Sequence, residues 1–201
     1  MKNLSQKNRL LLAFVIGGVG ILIGVSLGNY FVKGRGPSPT PEVTTAPSKS
    51  RATLSFYPEE TEVDVGDEFS VEIRLNAEGL VLSGLAVRMV YEYEGDLPLE
   101  PQDVKMRVNP ALAGMDWVFP VNTIEVDERN KRVVAELAAV NLNPGGYPAE
   151  GSVTFATIDF NAESSSSNDL AFTFDAENTK LLTKDGREVE IELVERLYSV
   201  D

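Results

Sequence analysis

The sequence predicts an all-β domain, an antiparallel sandwich, carried behind one membrane-spanning helix and a Pro/Ser/Thr-rich linker. Three observations lead there. Residues 10–28, LLLAFVIGGVGILIGVSLG, hold no charge over nineteen positions. Residues 34–50, GRGPSPTPEVTTAPSKS, are dominated by Pro, Ser and Thr. From residue 52 onward apolar side chains alternate with polar ones in short runs separated by turn residues, and no segment of that part sustains a helical period.

The N-terminal elements come first. At about 1.5 Å per residue the uncharged run approaches the ~30 Å hydrocarbon thickness, and Asn29 to Val32 extend it into the interface. A transmembrane helix over 10–32 follows, behind a short basic N-terminus over 1–9. A cleaved signal has a shorter apolar region, although Ser26-Leu27-Gly28 is a weak small-x-small site and cleavage there is the alternative. Lys2, Lys7 and Arg9 before the span against Lys33 and Arg35 after it favour a cytoplasmic N-terminus and an extracellular C-terminal domain on a single-pass anchor. Gly20, Gly24 and Gly28 recur every fourth residue, so one helical face is open to close packing with a second copy, a homodimer through the membrane; glycine is also simply common in such helices. Residues 33–51 cannot bury enough apolar surface to fold and read as a disordered, semi-extended stalk.

Charge and composition restrict what the domain over 52–201 does. Up to residue 51 there are seven Lys or Arg and a single acid, Glu42, which leaves 11 basic and 30 acidic residues beyond it, a net charge of −19. Such a domain repels phosphate backbones, so nucleic acid is not its partner. The chain has no Cys and no His. That removes thiolate and Ser-His chemistry and the usual zinc sites, and no catalytic residue is named.

Within the domain, Phe69, Val71, Ile73 and Leu75 alternate with Ser70, Glu72, Arg74 and Asn76; Leu85, Val87, Met89, Tyr91 and Tyr93 do the same against Ala86, Arg88, Val90 and Glu92. Further strands are expected over 53–56, 61–65, 123–126, 132–140, 153–162, 170–174, 180–182 and 188–193. Val65-Gly66-Asp67, the DERNK stretch at 127–131 and Asp185-Gly186 supply the turns. The apolar phase slips between Phe155 and Ala156, which predicts a bulge. Prolines in 95–121 break regular pairing, so irregular loops with short strand pieces are expected there. Nine or ten short strands in this length give the sandwich.

Four stretches carry a resemblance: VGDEFSVEIRL at 65–75, LSGLAVRMVYEYEGDLPLE at 82–100, EGSVTFATIDFNA at 150–162 and NTKLLTKDGREVEI at 178–191. In order and spacing they resemble the cohesin domain and its carbohydrate-binding-module relatives, over nearly all of 52–194. The family's Tyr-Asp-Pro strand ending is replaced by Tyr91-Glu92-Tyr93. The resemblance implies a nine-stranded jelly-roll sandwich, a non-catalytic module whose flat sheet face grips a dockerin-type protein, with any calcium carried by that partner and no cofactor of its own. The alternative it implies is a carbohydrate-binding module holding a polysaccharide.

Candidate site residues follow from the alternation. Glu72, Arg74, Arg88 and Glu92 lie on wet strand faces and would make a mixed-charge binding platform; charged outer faces also simply keep sandwiches soluble. Trp117, the only tryptophan, could stack on a sugar ring, but an aromatic inside an apolar run is more often core. Asp64, Asp67 and Glu68 offer hard oxygens to calcium without any defining spacing, and a solvated turn is the preferred reading.

Overall fold

The computed structural model describes residues 51–201 apart from 60 and 78. The expected transmembrane helix over 10–32, its Gly20, Gly24 and Gly28, and the stalk up to residue 50 lie outside the described residues. Arg51, expected in the stalk, opens the first strand instead. Among the described residues no helix is long and apolar enough to cross a membrane.

In chain order the strands are β1 (Arg51–Tyr57), β2 (Thr61–Val63), β3 (Glu68–Asn76), β4 (Val81–Glu92), β5 (Leu99–Pro101), β6 (Arg107–Val108), β7 (Trp117–Asp127), β8 (Arg132–Asn141), β9 (Tyr147–Pro148), β10 (Ser152–Ala162), β11 (Leu170–Phe174), β12 (Lys180–Thr183), β13 (Glu190–Val194) and β14 (Arg196–Val200); the single helix among the described residues, α1 (Pro110–Ala113), precedes β7. A six-stranded sheet runs β13-β1-β3-β10-β5 with β6 also on β10, and an eight-stranded sheet runs β2-β14-β11-β4-β8-β7 with β12 and β9 also on β4.

There are thus fourteen described strands rather than nine, because long runs are broken where the chain changes sheet. The C-terminal run crosses from one sheet to the other between β13 and β14, and the N-terminal run does so between β1 and β2. These crossings also make the sandwich mixed rather than purely antiparallel, since β13 lies parallel to β1 and β14 parallel to β2. The Asp185-Gly186 turn is present, with Gly186 at φ 75. It does not open a long hairpin: beyond the Leu182↔Glu188 bridge the chain crosses over to join β1.

Alternation builds the core. Phe69, Val71, Ile73 and Leu75 of β3 and Leu85, Val87, Met89 and Tyr91 of β4 are all buried. The slip at residues 155–156 is a register shift of β10 against β3, and Phe155 and Ala156 are both fully buried. Phe172 is the hub of an aromatic seam between the sheets. Its ring stacks on Tyr91 at 4.7 Å and meets Tyr198, Phe160 and Phe56 edge-on at 4.8, 5.8 and 6.0 Å. The buried Tyr91 hydroxyl donates to the Leu99 carbonyl, tying the two sheets together; burial drives that phenol's pKa far above its ordinary value.

Candidate functional site

The two outer faces of the sandwich differ in kind. On the six-stranded sheet Arg74 and Arg107 are each paired with a carboxylate. Arg74 Nε lies 2.8 Å from Glu72, which also accepts from Thr154 Oγ1 at 2.9 Å, and the Arg74 guanidinium sits 3.5 Å above the Tyr57 ring. Arg107 donates twice to Asp159, at 2.9 and 3.0 Å, and Ser70 Oγ donates to the same carboxylate at 2.6 Å. The Arg107 hydrogen bonds, with that of Ser70, hold the Asp159 pKa below the ordinary carboxylate value.

The outer face of β4, β8 and β7 is built in five rows by the ladder register. Gly84, Val140 and Val118 form the first and Ala86, Ala138 and Val121 the second; Arg88, Glu136 and Thr123, then Val90, Val134 and Glu125, then Glu92, Arg132 and Asp127 complete it. The first two rows are small and apolar. Val118 and Val140 are each 42% exposed, and beyond them Met115 and Leu142 are more open still. The third and fifth rows carry paired charges, with Arg88 Nη1 reaching Glu136 at 2.8 Å and Arg132 Nε reaching Asp127 at 3.3 Å, and the fourth sets Val90 and Val134 beside Glu125.

Beside Arg88 the strand flanking β4 is interrupted. β11 leaves at Phe174, opposite Met89, and β12 rejoins at Lys180, opposite Ala86. In the gap the Asp175 N–H donates to the Arg88 carbonyl at 2.9 Å, and the Arg88 N–H donates to Thr179 Oγ1 at 3.3 Å. The Asp175 carboxylate accepts from the Asn178 side chain at 2.7 Å and from the Glu177 and Asn178 N–H groups, and lies 3.5 Å from Arg88 Nε. Its pKa is lowered, chiefly by the Asn178 side-chain bond. The loop therefore replaces missing ladder bonds and fixes Arg88 at the centre of the face.

The expected platform divides between the two sheets. Glu72 and Arg74 stand on β3 in the six-stranded sheet, whereas Arg88 and Glu92 stand on β4 in the eight-stranded one. Alternation correctly sets which side chains point outward but carries no information on which sheet a strand joins. Trp117 is 4% exposed and meets Tyr147 and Phe155 edge-on at 5.7 and 5.4 Å, so no open ring face remains for a sugar. Asp64 and Asp67 close the turn before β3, with the Asp67 N–H donating to the Asp64 carbonyl at 3.1 Å, and Glu68 starts the strand. Among the described residues no group of three or more carboxylates converges as a metal site.

The apolar rows were missed by the sequence reading, and a signal for them exists. In RVVAELAAV, residues 132–140, both phases of β8 are rich in Val and Ala, which is the pattern of a strand covered on both faces. On the outward phase Val134 is buried, Ala138 half-buried and Val140 exposed, so the cover runs out toward the end of the strand.

No protein-family model and no curated protein sequence matches the chain. Solved structures do. The third cohesin ScaC of Acetivibrio cellulolyticus, solved in complex with the ScaB dockerin, aligns with TM-score 0.52 and 12% identity over 74% of this chain and 98% of its own. The OlpA cohesin of Clostridium thermocellum, solved in a type I cohesin–dockerin complex, gives TM-score 0.50 and 13% identity over 75% and 99%. The seventh ScaB type I cohesin of Pseudobacteroides cellulosolvens gives 0.50 and 16% over 75% and 92%. The domain is a mostly-β sandwich with a cohesin-like fold.

Proposed function

We propose that the chain is a non-catalytic docking module that binds a dockerin-type protein on the outer face of β4, β8 and β7, held at the cell surface by the span over 10–32 and reaching outward on the stalk. The observation that carries this reading is the pair of small apolar rows, Gly84-Val140-Val118 and Ala86-Ala138-Val121, in which Val118 and Val140 are exposed and Ala86, Ala138 and Val121 half-buried, beside the paired charges Arg88-Glu136 and Arg132-Asp127. Contiguous exposed apolar surface rimmed by polar groups is how a protein interface differs from a merely solvated face. Two of the cohesins of like fold were solved with dockerin partners, which supports the choice of partner class. The polysaccharide alternative calls for a flat row of exposed aromatics. Tyr57 is the one strongly exposed aromatic among the described residues, and Arg74 already lies over its ring.

The test is a binding titration of the full chain against a panel of calcium-loaded dockerin modules, repeated with a chelator and with two variants. Ala138→Arg places a long charged side chain in the middle of the apolar rows, and Ser55→Arg does the same on the opposite face. The expected result is calcium-dependent binding of at least one module, weakened about a hundredfold by Ala138→Arg, as for loss of a central interface anchor, and unchanged by Ser55→Arg. Binding by no module, or equal loss from both variants, refutes the reading.

A further inference from the structure

At the end of the sandwich where β7 begins, β8 ends and β9 crosses to β4, there is a recess of about 400 Å³ lined in part by Met115, Asp116, Asn141, Asn143, Tyr147 and Glu150. It adjoins the apolar end of the docking face, since Asp116 and Leu142 continue the ladder beyond the Val118-Val140 pair through the Leu142 N–H to Asp116 carbonyl bond of 2.8 Å. The rim is held by its own hydrogen bonds. Asn141 Nδ2 donates to the Met115 carbonyl at 2.8 Å, Asn141 Oδ1 accepts from the Asn143 N–H at 3.1 Å, and Asn143 Oδ1 accepts from the Gly145 N–H at 2.8 Å. Asp116 is kept at φ 60, a left-handed conformation uncommon outside glycine.

Two features set the chemistry of this recess. Asp116 and Glu150 are both exposed, and among the described residues their side chains have neither an ion pair nor a hydrogen bond, so both carboxylates are open to a ligand. Lys184 packs beside Gly146 yet forms no ion pair with either carboxylate. The same recess has an apolar and aromatic lining: Met115 is half exposed, and the Tyr147 ring is braced edge-on by Trp117 at 5.7 Å. The Tyr147 phenol has its pKa raised by burial and by the Glu150 charge.

We propose that this recess receives a lysine or arginine side chain of the docked protein, its stem lying along Met115 and Tyr147 and its cationic tip between Asp116 and Glu150. The long basic side chains are the groups that need an apolar channel ending in anionic acceptors, and a tyrosine face adds a cation–π contribution. A net charge of −19 over 52–201 favours the same ligand charge. A neutral sugar would use Tyr147 and the asparagines but leave both carboxylates unmatched. The inference rests on the docking reading for the source of the side chain, but its chemistry is testable without a partner.

The test is saturation-transfer difference NMR on the full chain with Nα-acetyl-lysine methylamide as probe, against Nα-acetyl-norleucine methylamide and cellobiose. The lysine probe is expected to show saturable transfer at its terminal methylenes and the other two to show little. In Asp116→Asn/Glu150→Gln the lysine probe should bind at least about tenfold more weakly, as for loss of a charge-assisted pair. Asn tolerates the left-handed backbone at 116, so the variant retains the fold. Equal transfer to norleucine, an unchanged signal in the double variant, or transfer to cellobiose in place of lysine overturns the proposal. Ala138→Arg leaves the lysine signal intact, so failure of the recess and failure of the docking face read out separately.

Discussion

Phe172 is the sharpest test of whether the two sheets share one core. Its ring is fully buried and touches Phe56 and Phe160 of the six-stranded sheet as well as Tyr91 and Tyr198 of its own. Phe172→Ala removes the ring from all four contacts at once and leaves a cavity that neighbouring backbone cannot fill. The expected cost is about 3–5 kcal/mol, the upper part of the range because four ring pairs go with the buried area. Phe172→Leu keeps most of the volume and loses the ring pairs, so about 1–2.5 kcal/mol is expected. Against a total stability of roughly 5–15 kcal/mol the first variant is close to unfolding and the second is not. Urea unfolding of the full chain reads both, followed by near-ultraviolet circular dichroism and by Trp117 emission. Trp117 contacts Tyr147 and Phe155 and has no ring contact with Phe172, so its transition reports on the far end of the core. Both probes should move together. A loss below about 1 kcal/mol in Phe172→Ala, or a Trp117 transition that stays in place while the circular dichroism shifts, would refute the single-seam argument.

Two further outcomes follow from the geometry. Gly146 sits at φ 73, and a Cβ there would meet Val81 Cγ1 at 2.6 Å and the Leu82 carbonyl at 3.0 Å, whereas Gly151 at φ 71 has open space around it. Gly146→Ala should therefore destabilise by about 1–3 kcal/mol more than Gly151→Ala, which carries the backbone strain alone, and equal melting losses would show that the close approach is not what requires glycine. For pH, Asp159 and Asp175 both have folded pKa values below the ordinary carboxylate range, so their contribution is present above the unfolded pKa near 4 and is lost as pH falls through the lower folded values. Denaturation midpoints measured from pH 6 down to about pH 2.5 should fall on the acid side, and Asp159→Asn, which keeps the shape but cannot ionise, should flatten that limb; an unchanged slope would place the acid sensitivity elsewhere.

The alternating strands were legible because a single buried face imposes period two. β3, β8, β10 and β11 stand within a residue or two of where the pattern puts them, and the slip at Phe155 appears as a real register shift. What alternation does not encode is pairing. β7 begins at Trp117 rather than at Thr123, because the register shift around Phe119-Pro120 interrupts the pattern that would have announced it. β14 was not expected at all: Arg196–Val200 buries only Tyr198 and Val200, too few positions to set a period. The same gap in information scattered the expected platform, since Arg74 and Arg88 look equivalent in sequence and differ only in the sheet that their strands join.

On the docking reading, the division of the open face into apolar and charged rows also divides its work. Ala86 and Ala138 make a low floor that a partner can approach closely, bordered by Val118, Val121 and Val140, so burial there supplies most of the affinity. Arg88 and Glu136, and Arg132 and Asp127, already satisfy each other, and a partner gains little by competing for them unless it presents charges in matching places. That end contributes to choice of partner rather than to strength, because a mismatched charge laid over a paired row is desolvated without compensation. Charge reversal at Glu136 should accordingly change which partner binds more than it changes how tightly the correct one is held, whereas filling the floor at Ala138 should weaken every partner alike.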